Sequence, residues 1–406
     1  MTINMKKNFS LFGLPEKVVF CKRCVISNQR PSSTVEFKNI NNNKNGINID
    51  KDNICDACKY SLEKNRIDWN KREIELENVL SKYRKKNGYD CVVPGSGGKD
   101  SAYTAHILKY KYKMNPLTVT WAPHLYTNIG WENFTNWVHK GGFDNILFTP
   151  NGKLHRVLTK LAFLNLLHPF QPFIIGQRII GPKIASKFNI PLVIYGENQA
   201  EYGNNSDENF NPLMNPDFFS KDSSDEIVLG GVSIKEIMQK YKFVQNDFEP
   251  YLPLDKEEIK NKDIKVMYLG YFLKWDPQEC FYYASENTGF KANTERTEGS
   301  YSKYSSIDDK TDPFHYFTTY IKFGLGRATY DAAQEIRNDK IDRQEGISLV
   351  KRYDDEFPKK YFKDFLEYID ITEKDFWENI DRFRSPHLWE KREDKWYLRY
   401  SCWKDS

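Results

Sequence analysis

Ser96-Gly97-Gly98-Lys99-Asp100-Ser101 stands between two readable elements. Before it runs Asp90-Cys91-Val92-Val93-Pro94, a short apolar segment with strand composition. After it a helical pattern continues to about Tyr112. A glycine-bearing turn that leaves a strand and opens a helix turns backbone amides and the positive helix end toward one point, where an anion can be cradled. The loop is not the common nucleotide loop, in which Gly-Lys is followed by Ser or Thr, because Lys99 is followed by Asp100. Nor does it have the Gly-x-Gly-x-x-Gly spacing of dinucleotide folds.

Outward from the loop the chain alternates strand and helix. Leu62 to Lys86 carries apolar residues at helical spacing and predicts a helix leading into this domain. Strands are expected at Leu117–Trp121, Asn145–Phe148 and Pro191–Tyr195. Helices are expected at 132–140, 153–167 and 177–188. This rhythm predicts an α/β domain, a parallel sheet with helices on both faces, over residues 63–202. Residues 203–262 lose the rhythm and read as an insertion, and 263–406 read as a mostly helical, aromatic second lobe. In parallel sheets ligands sit beyond the C-terminal ends of strands. Gly196-Glu197-Asn198, directly after the fourth strand, should therefore face the same cleft as the loop, with Glu201 close behind. Thr120-Trp121-Ala122-Pro123-His124 ends the second strand, and His124 reads as a wall residue.

The cysteines predict a metal. Cys21-Lys22-Arg23-Cys24 and Cys55-Asp56-Ala57-Cys58 are two Cys-x-x-Cys pairs, and two such pairs complete a tetrahedral shell of four thiolates. A closed shell has no open position, so the site is expected to be structural, with zinc the expected ion and an iron–sulfur cluster the alternative. This gives a zinc-ribbon-like module over 17–62 after a leader, 1–16, with Asn41-Asn42-Asn43-Lys44-Asn45-Gly46 as an exposed turn. The other cysteines, Cys91, Cys280 and Cys402, form no pair in sequence, and seven in a long chain argue against a disulfide framework.

Composition excludes several classes. The chain has 406 residues, and 60 bases against 56 acids leave a net charge of +4, too balanced to mark a nucleic-acid binder. No stretch is apolar enough to span a membrane, and the N-terminus lacks a secretory pattern, which predicts a cytoplasmic protein. Aromatic residues make up 15% of the chain and are expected to fill its core.

As a block, Ser96-Gly97-Gly98-Lys99-Asp100-Ser101 resembles the signature of the ATP-pyrophosphatase, or PP-loop, family. The resemblance implies a nucleotide α-hydrolase fold whose loop grips the β and γ phosphates of ATP and transfers the α-phosphate as AMP. Gly97 and Gly98 would let the backbone approach the phosphates, Ser96 and Ser101 would donate hydrogen bonds, and Lys99 would neutralise charge. Asp100 and Glu197 would place Mg²⁺, Trp121 and Gly196 would border the nucleotide, and Asn198 and Glu201 would contact substrate.

Taken whole, about 17–355 resembles the N-acetyl sugar amidotransferases of surface-polysaccharide and pseudaminic-type glycan synthesis. The resemblance rests on the paired Cys-x-x-Cys, the loop and Gly196-Glu197-Asn198, and on Tyr126-Thr127-Asn128-Ile129-Gly130 ahead of Gly142-Phe143-Asp144-Asn145-Ile146. It also rests on Thr297-Glu298-Gly299-Ser300-Tyr301-Ser302-Lys303-Tyr304 and Phe323-Gly324-Leu325-Gly326-Arg327-Ala328-Thr329. It implies that an acetamido oxygen is adenylated and then displaced by ammonia, giving an acetamidino sugar. Lys303, Lys322 and Arg327 become candidates for polyphosphate or an acidic sugar, and Glu298 for sugar hydroxyls. Lys303 and Arg327 are the pair expected to act in catalysis with Lys99, Asp100 and Glu197. No cysteine has a glutaminase setting, so ammonia is expected from partners similar to the glutaminase and cyclase subunits of imidazole glycerol phosphate synthase. The competing expectation is a PP-loop tRNA-modifying enzyme, a thiolase or lysidine-type synthetase.

Overall fold

A computed structural model describes residues 9–40, 44–203 and 210–404. The first half of the expected leader and Asn41–Asn43 of the expected turn lie outside the described residues. Five strands form one parallel sheet: β1 (Cys91–Pro94), β2 (Pro116–Trp121), β3 (Asp144–Phe148), β4 (Leu192–Tyr195) and a fifth, Lys265–Tyr268. Their order is β3-β2-β1-β4 and then the fifth strand. The chain moves outward from β1 to β3 in one direction, returns, and adds β4 on the other side. The gap between β1 and β4 is therefore the switch point where a crevice opens. Val92 registers with Leu117 on one side and Val193 on the other. β1 and β2 are buried along their whole length, as central parallel strands covered on both faces must be.

The helical spacing of 62–86 resolves into two helices, α1 (Asp56–Lys64) and α2 (Trp69–Ser81). Asp68 breaks the run, because its carboxylate caps α2 by accepting from Lys71 N at 3.1 Å. Next come α3 (Lys99–Tyr110), α4 (Asn128–His139), α5 (Gly152–Leu166) and α6 (Gln171–Phe188). α4 starts earlier than its apolar pattern suggests because Thr127 caps it, accepting from Gly130 N at 2.9 Å. α6 crosses β2 closely at Gly176. A Cβ there would lie 2.1 Å from the Trp121 ring, so only glycine lets the helix settle on that indole.

Residues 210–262 do have regular pieces. Four two-residue strands, β5 (Ser220–Lys221), β6 (Val228–Leu229), β7 (Val232–Ser233) and β8 (Leu254–Asp255), accompany α7 (Ile234–Tyr241) and α8 (Lys256–Asn261). Leu229, Ile237, Phe248 and Tyr251 are fully buried in the same core as Val92, Val193 and Trp121, so this segment packs against the sheet. It then delivers β9 (Lys265–Tyr268), the fifth strand, three residues past the boundary expected at 262. An edge strand whose burial alternates residue by residue, with Lys265 and Met267 only half covered, lacks the continuous apolar run that marks β1 and β2.

The rest is helical: α9 (Leu269–Phe272), α10 (Pro277–Thr288), α11 (Asp312–Phe323), α12 (Arg327–Arg337), α13 (Arg343–Tyr353), α14 (Phe362–Ile369) and α15 (Glu373–Arg382). An antiparallel hairpin, β10 (Trp389–Arg392) and β11 (Lys395–Leu398), follows. The aromatic content fills this lobe's core, as in Phe314 stacked on Phe365 with centroids 4.3 Å apart. Among the described residues no helix is long and apolar enough to cross a membrane.

Candidate active site and metal centre

Cys21, Cys24, Cys55 and Cys58 are buried, and their sulfurs all lie within 4.8 Å of one another. Cys21 and Cys58 are 3.8 Å apart, as are Cys24 and Cys55. Four thiolates about 2.3 Å from one ion at tetrahedral corners are about 3.8 Å apart, so the cluster can chelate a single metal ion. A four-iron, four-sulfur cluster, with each cysteine on a different iron, would spread the sulfurs wider. Backbone N–H groups of Cys24 and Cys55 point at Cys21 Sγ from 3.5 and 3.4 Å. Arg23 donates to Cys58 O, Arg343 donates to Cys24 O, and Arg337 is buried beside the cluster, placing positive charge around four thiolates.

This module is fused to the rest of the chain. Its cysteines share one apolar core with Ala332, Ala333 and Ile336 of α12 and Ile347 and Val350 of α13. Cys55 is the N-cap of α1, and Lys64 at the end of α1 pairs with Glu201 at 2.6 Å, both side chains almost fully buried. Arg337 donates to Glu201 O at 3.0 Å. The loop after β4 is thus clamped between the metal module and α12.

A cleft of about 420 Å³ opens at the switch point, between the C-terminal ends of β1 and β4 and the helices of the second lobe. Ser96, Gly98, Lys99 and Asp100 line its floor. Gly97 has φ +83°, and a Cβ there would sit 2.8 Å from Phe134 Cα, so the loop lies pressed against α4. Ser101 turns inward and donates to Gly98 O at 3.0 Å. Gly196 is held against α3, where a Cβ would meet Thr104 Oγ1 at 2.6 Å.

Lys99 is ion-paired with Asp100, whose other oxygen accepts from Trp275 Nε1 at 3.2 Å. Burial works against the Lys99 ammonium, but the Asp100 and Glu197 carboxylates outweigh it and its pKa is raised. Glu197 accepts from the Tyr202 hydroxyl. Burial, with the Asp100 charge added, pushes the Glu197 carboxyl up to about 7. From the second lobe Arg327 enters the cleft, paired with Asp331 at 3.0 Å and donating to the Tyr316 hydroxyl. Asp276, Asp308, Asp309, Asp312 and Glu335, with Lys340, complete a lining in which eight carboxylates face three bases. Burial pushes Asp312 up to about 7 against the pull of Arg327.

Of the residues singled out from sequence, Ser96, Gly98, Lys99, Asp100, Glu197 and Arg327 meet at this cleft, with Gly97, Ser101 and Gly196 shaping its floor. Others do not reach it. The Trp121 ring lies in the core between Gly176, Phe148 and Tyr251. Asn198 is buried and caps the turn at Gln199–Tyr202, accepting from Ala200 N. Glu201 is consumed by its pair with Lys64. Glu298 accepts the backbone N–H groups of Lys359 and Lys360. Lys303 is exposed and outside the cleft lining. Lys322 is buried in the second lobe's core, donating to Leu166 O at 2.8 Å beside the Phe12 ring.

Sequence reasoning missed Tyr202, Asp276, Asp308, Asp312, Tyr316, Asp331 and Glu335. Asp331 and Glu335 stand on α12 beyond the quoted glycine-bearing motif, and the others come from helices and turns outside the quoted motifs. The polar run Ser305-Ser306-Ile307-Asp308-Asp309 was the one visible signal.

Lys322 gives a test that separates placement from motif. Burial pushes its ammonium down to about 7 from 10.5. Below pH 7 it is charged in both folded and unfolded chains, and the cost of burying that charge is fully present. Between about pH 7 and 10.5 the unfolded chain binds a proton that the folded one has released, so stability rises with pH. Lys322→Met is expected to flatten that rise in denaturant titrations and to leave turnover intact. A selective loss of kcat would return Lys322 to the reaction.

Two comparisons bear on the chain. Residues 298–401 match the family model described as "LPS biosynthesis protein WbpG-like, C-terminal domain". This match begins ahead of α11, runs through the β10–β11 hairpin, and includes Arg327 and Asp331. The second lobe therefore resembles a domain of lipopolysaccharide-biosynthesis proteins. A 74-residue stretch is 39% identical to the uncharacterized protein MJ1599 of Methanocaldococcus jannaschii, covering 18% of this chain and 26% of that protein.

Proposed function

We propose that the chain is an AMP-forming amidotransferase that converts the acetamido group of an N-acetylated sugar to an acetamidino group. The observation that supports it most is a juxtaposition. The Ser96–Ser101 loop opens α3 onto a cleft whose opposite wall, including Arg327 and Asp331, belongs to the WbpG-like domain.

In this reading the acetamido oxygen attacks the α-phosphorus of ATP, and the bond to pyrophosphate breaks. Ammonia adds to the imidate carbon, the carbon–oxygen bond breaks, and AMP leaves with the former amide oxygen. Backbone amides of the loop and the N-terminus of α3 hold the departing pyrophosphate. Lys99 and Arg327 balance its charge, each already held by a carboxylate that fixes its direction. Asp100 and Glu197 are two crowded carboxylates, one with a raised proton affinity, which is the donor set a divalent cation relieves. Mg²⁺ bound there would supply charge neutralisation for the triphosphate. Asp308, Asp312 and Asp331 face the cleft and suit a product that gains positive charge as an amide becomes an amidinium. The same carboxylate-rich wall opposes a polyanionic RNA, which counts against the tRNA-modifying alternative. Zn²⁺ is the ion assigned to the four cysteines, in a structural role. Ammonia comes from a partner glutaminase with its cyclase-like subunit, and the setting is the cytoplasm.

The test is product analysis with ATP, Mg²⁺, an ammonium salt and a panel of free and nucleotide-linked N-acetylated sugars. AMP, pyrophosphate and a sugar with oxygen replaced by NH are expected together for one acceptor. ADP as product, or AMP formed only with tRNA, would overturn the reading.

A further inference from the structure

The reaction set out above sheds a proton. Ammonia that adds to the imidate carbon becomes an ammonium group there, and it must give up a proton before AMP can leave an amidinium behind. Most polar groups of the cleft are already engaged. Asp276 pairs with Lys340 at 3.3 Å, Asp309 with His124 at 3.0 Å and Asp331 with Arg327 at 3.0 Å. Glu335 accepts from the Tyr301 hydroxyl at 2.8 Å, and Asp312 is bonded to Ser306 beside Arg327.

His315 differs from all of these. It lies in the first turn of α11 and lines the cleft with a half-buried side chain. Asp312, three residues before it, and Tyr316, next to it, line the same space. Asp308, just ahead of the helix, is bonded to Ser96, which ties this end of α11 to the phosphate loop. The His315 ring stacks on Phe170, with centroids 5.3 Å apart and planes 19° apart. The His168 ring stands 5.1 Å away, with its own Nε2 turned to Glu36 at 3.4 Å. His315 Nδ1 is sealed inside the protein without a partner. Nε2 is not sealed, and no hydrogen bond holds it among the described residues, so it is the nitrogen left open to the cleft.

A lining of eight carboxylates should favour a charged imidazole. Burial opposes this most, and His168, Arg327 and His124 act in the same direction against the pull of Glu36. The balance holds the His315 pKa well below its ordinary value, so the ring is neutral at physiological pH. A neutral ring with its proton on Nδ1 offers the Nε2 lone pair as an acceptor.

We propose that His315 is the general base of the ammonia step. This role rests on the amidotransferase reading. The carbon–nitrogen bond forms, and one N–H bond of the adduct breaks as its proton passes to His315 Nε2. The carbon–oxygen bond then breaks with its electron pair leaving on AMP, and the imidazolium returns its proton to water.

The test separates the two half-reactions. Sugar-dependent exchange of labelled pyrophosphate into ATP, without ammonia, reads adenylation alone. Acetamidino sugar formed with ammonia reads the whole reaction. In His315→Ala the exchange should persist, while kcat for the acetamidino sugar should fall by about 10²–10⁴-fold, the usual share of a general base. Added imidazole should restore part of that loss. His315→Gln, which retains much of the ring's bulk, should show the same split, and it carries the test if the alanine variant does not fold. Wild-type kcat in both variants, or exchange lost in step with product in a folded variant, would overturn this role and leave the amidotransferase reading standing. A wild type that gives neither exchange nor acetamidino sugar would overturn both.

Discussion

Lys99→Ala should lower the rate of AMP formation by at least ~10²–10³-fold, the scale of losing one preorganised charge at a developing anion. The fold should survive, because Lys99 sits at the first position of α3 and, among the described residues, its ammonium pairs with Asp100 on the floor of the cleft. Removing it leaves Asp100 and Glu197 without their shared cation, so the loss should fall on kcat as well as on KM for ATP. Asp100→Asn should act differently. It keeps the size of the side chain and an acceptor for Trp275 Nε1 but removes a divalent-cation ligand, so the Mg²⁺ needed for half-maximal rate should rise. Steady-state kinetics with circular dichroism on each variant checks both. A Lys99→Ala variant with wild-type turnover would remove the loop from the reaction.

Metal removal should have the second large effect. Free energies of structural zinc sites are about 10–16 kcal/mol, comparable with the stability of a whole domain. Here four buried thiols would be left clustered without the ion that ties them together, with the Cys21–Cys58 and Cys24–Cys55 sulfurs 3.8 Å apart. A strong chelator, or Cys55→Ser, is expected to lower Tm sharply and to expose the module to protease. Activity should fall with it, because α1 carries Lys64 to Glu201 and so steadies the loop that places Glu197 in the cleft. Metal analysis should find one ion for four cysteines. An apo-protein with the Tm and activity of the holo-protein would contradict this.

What the sequence revealed, and what it hid, follows from how locally each feature is encoded. β1 and β2 are continuous apolar runs because both faces are covered, and the loop between β1 and α3 depends on neighbours in sequence, so both could be read directly. The two Cys-x-x-Cys pairs also declare themselves by spacing. β9 was hidden because an edge strand alternates, and its lysine-flanked stretch resembles the polar segment before it. The break between α1 and α2 turns on one cap, Asp68, inside an otherwise helical pattern. At the site, residues flanking glycines drew attention for their setting, yet Glu298 and Lys303 stay away from the cleft. The carboxylates that line it, Asp308, Asp312 and Asp331, stand on elements whose approach to β1 is a long-range packing outcome with no local signature. Lys322 shows the same limit from the other side, since a lysine in a glycine-bearing segment turned out to be part of an aromatic core.

The central claim is that the acetamido oxygen itself is adenylated, and an isotope experiment reads that step directly. An N-acetylated sugar that turns over, labelled with ¹⁸O in its acetamido carbonyl, is incubated with ATP, Mg²⁺ and ammonia, and the AMP is analysed by mass spectrometry. The account predicts that the label appears in the phosphate of AMP in step with formation of the acetamidino sugar. Unlabelled AMP, with the label retained in the sugar or released to water, would contradict it.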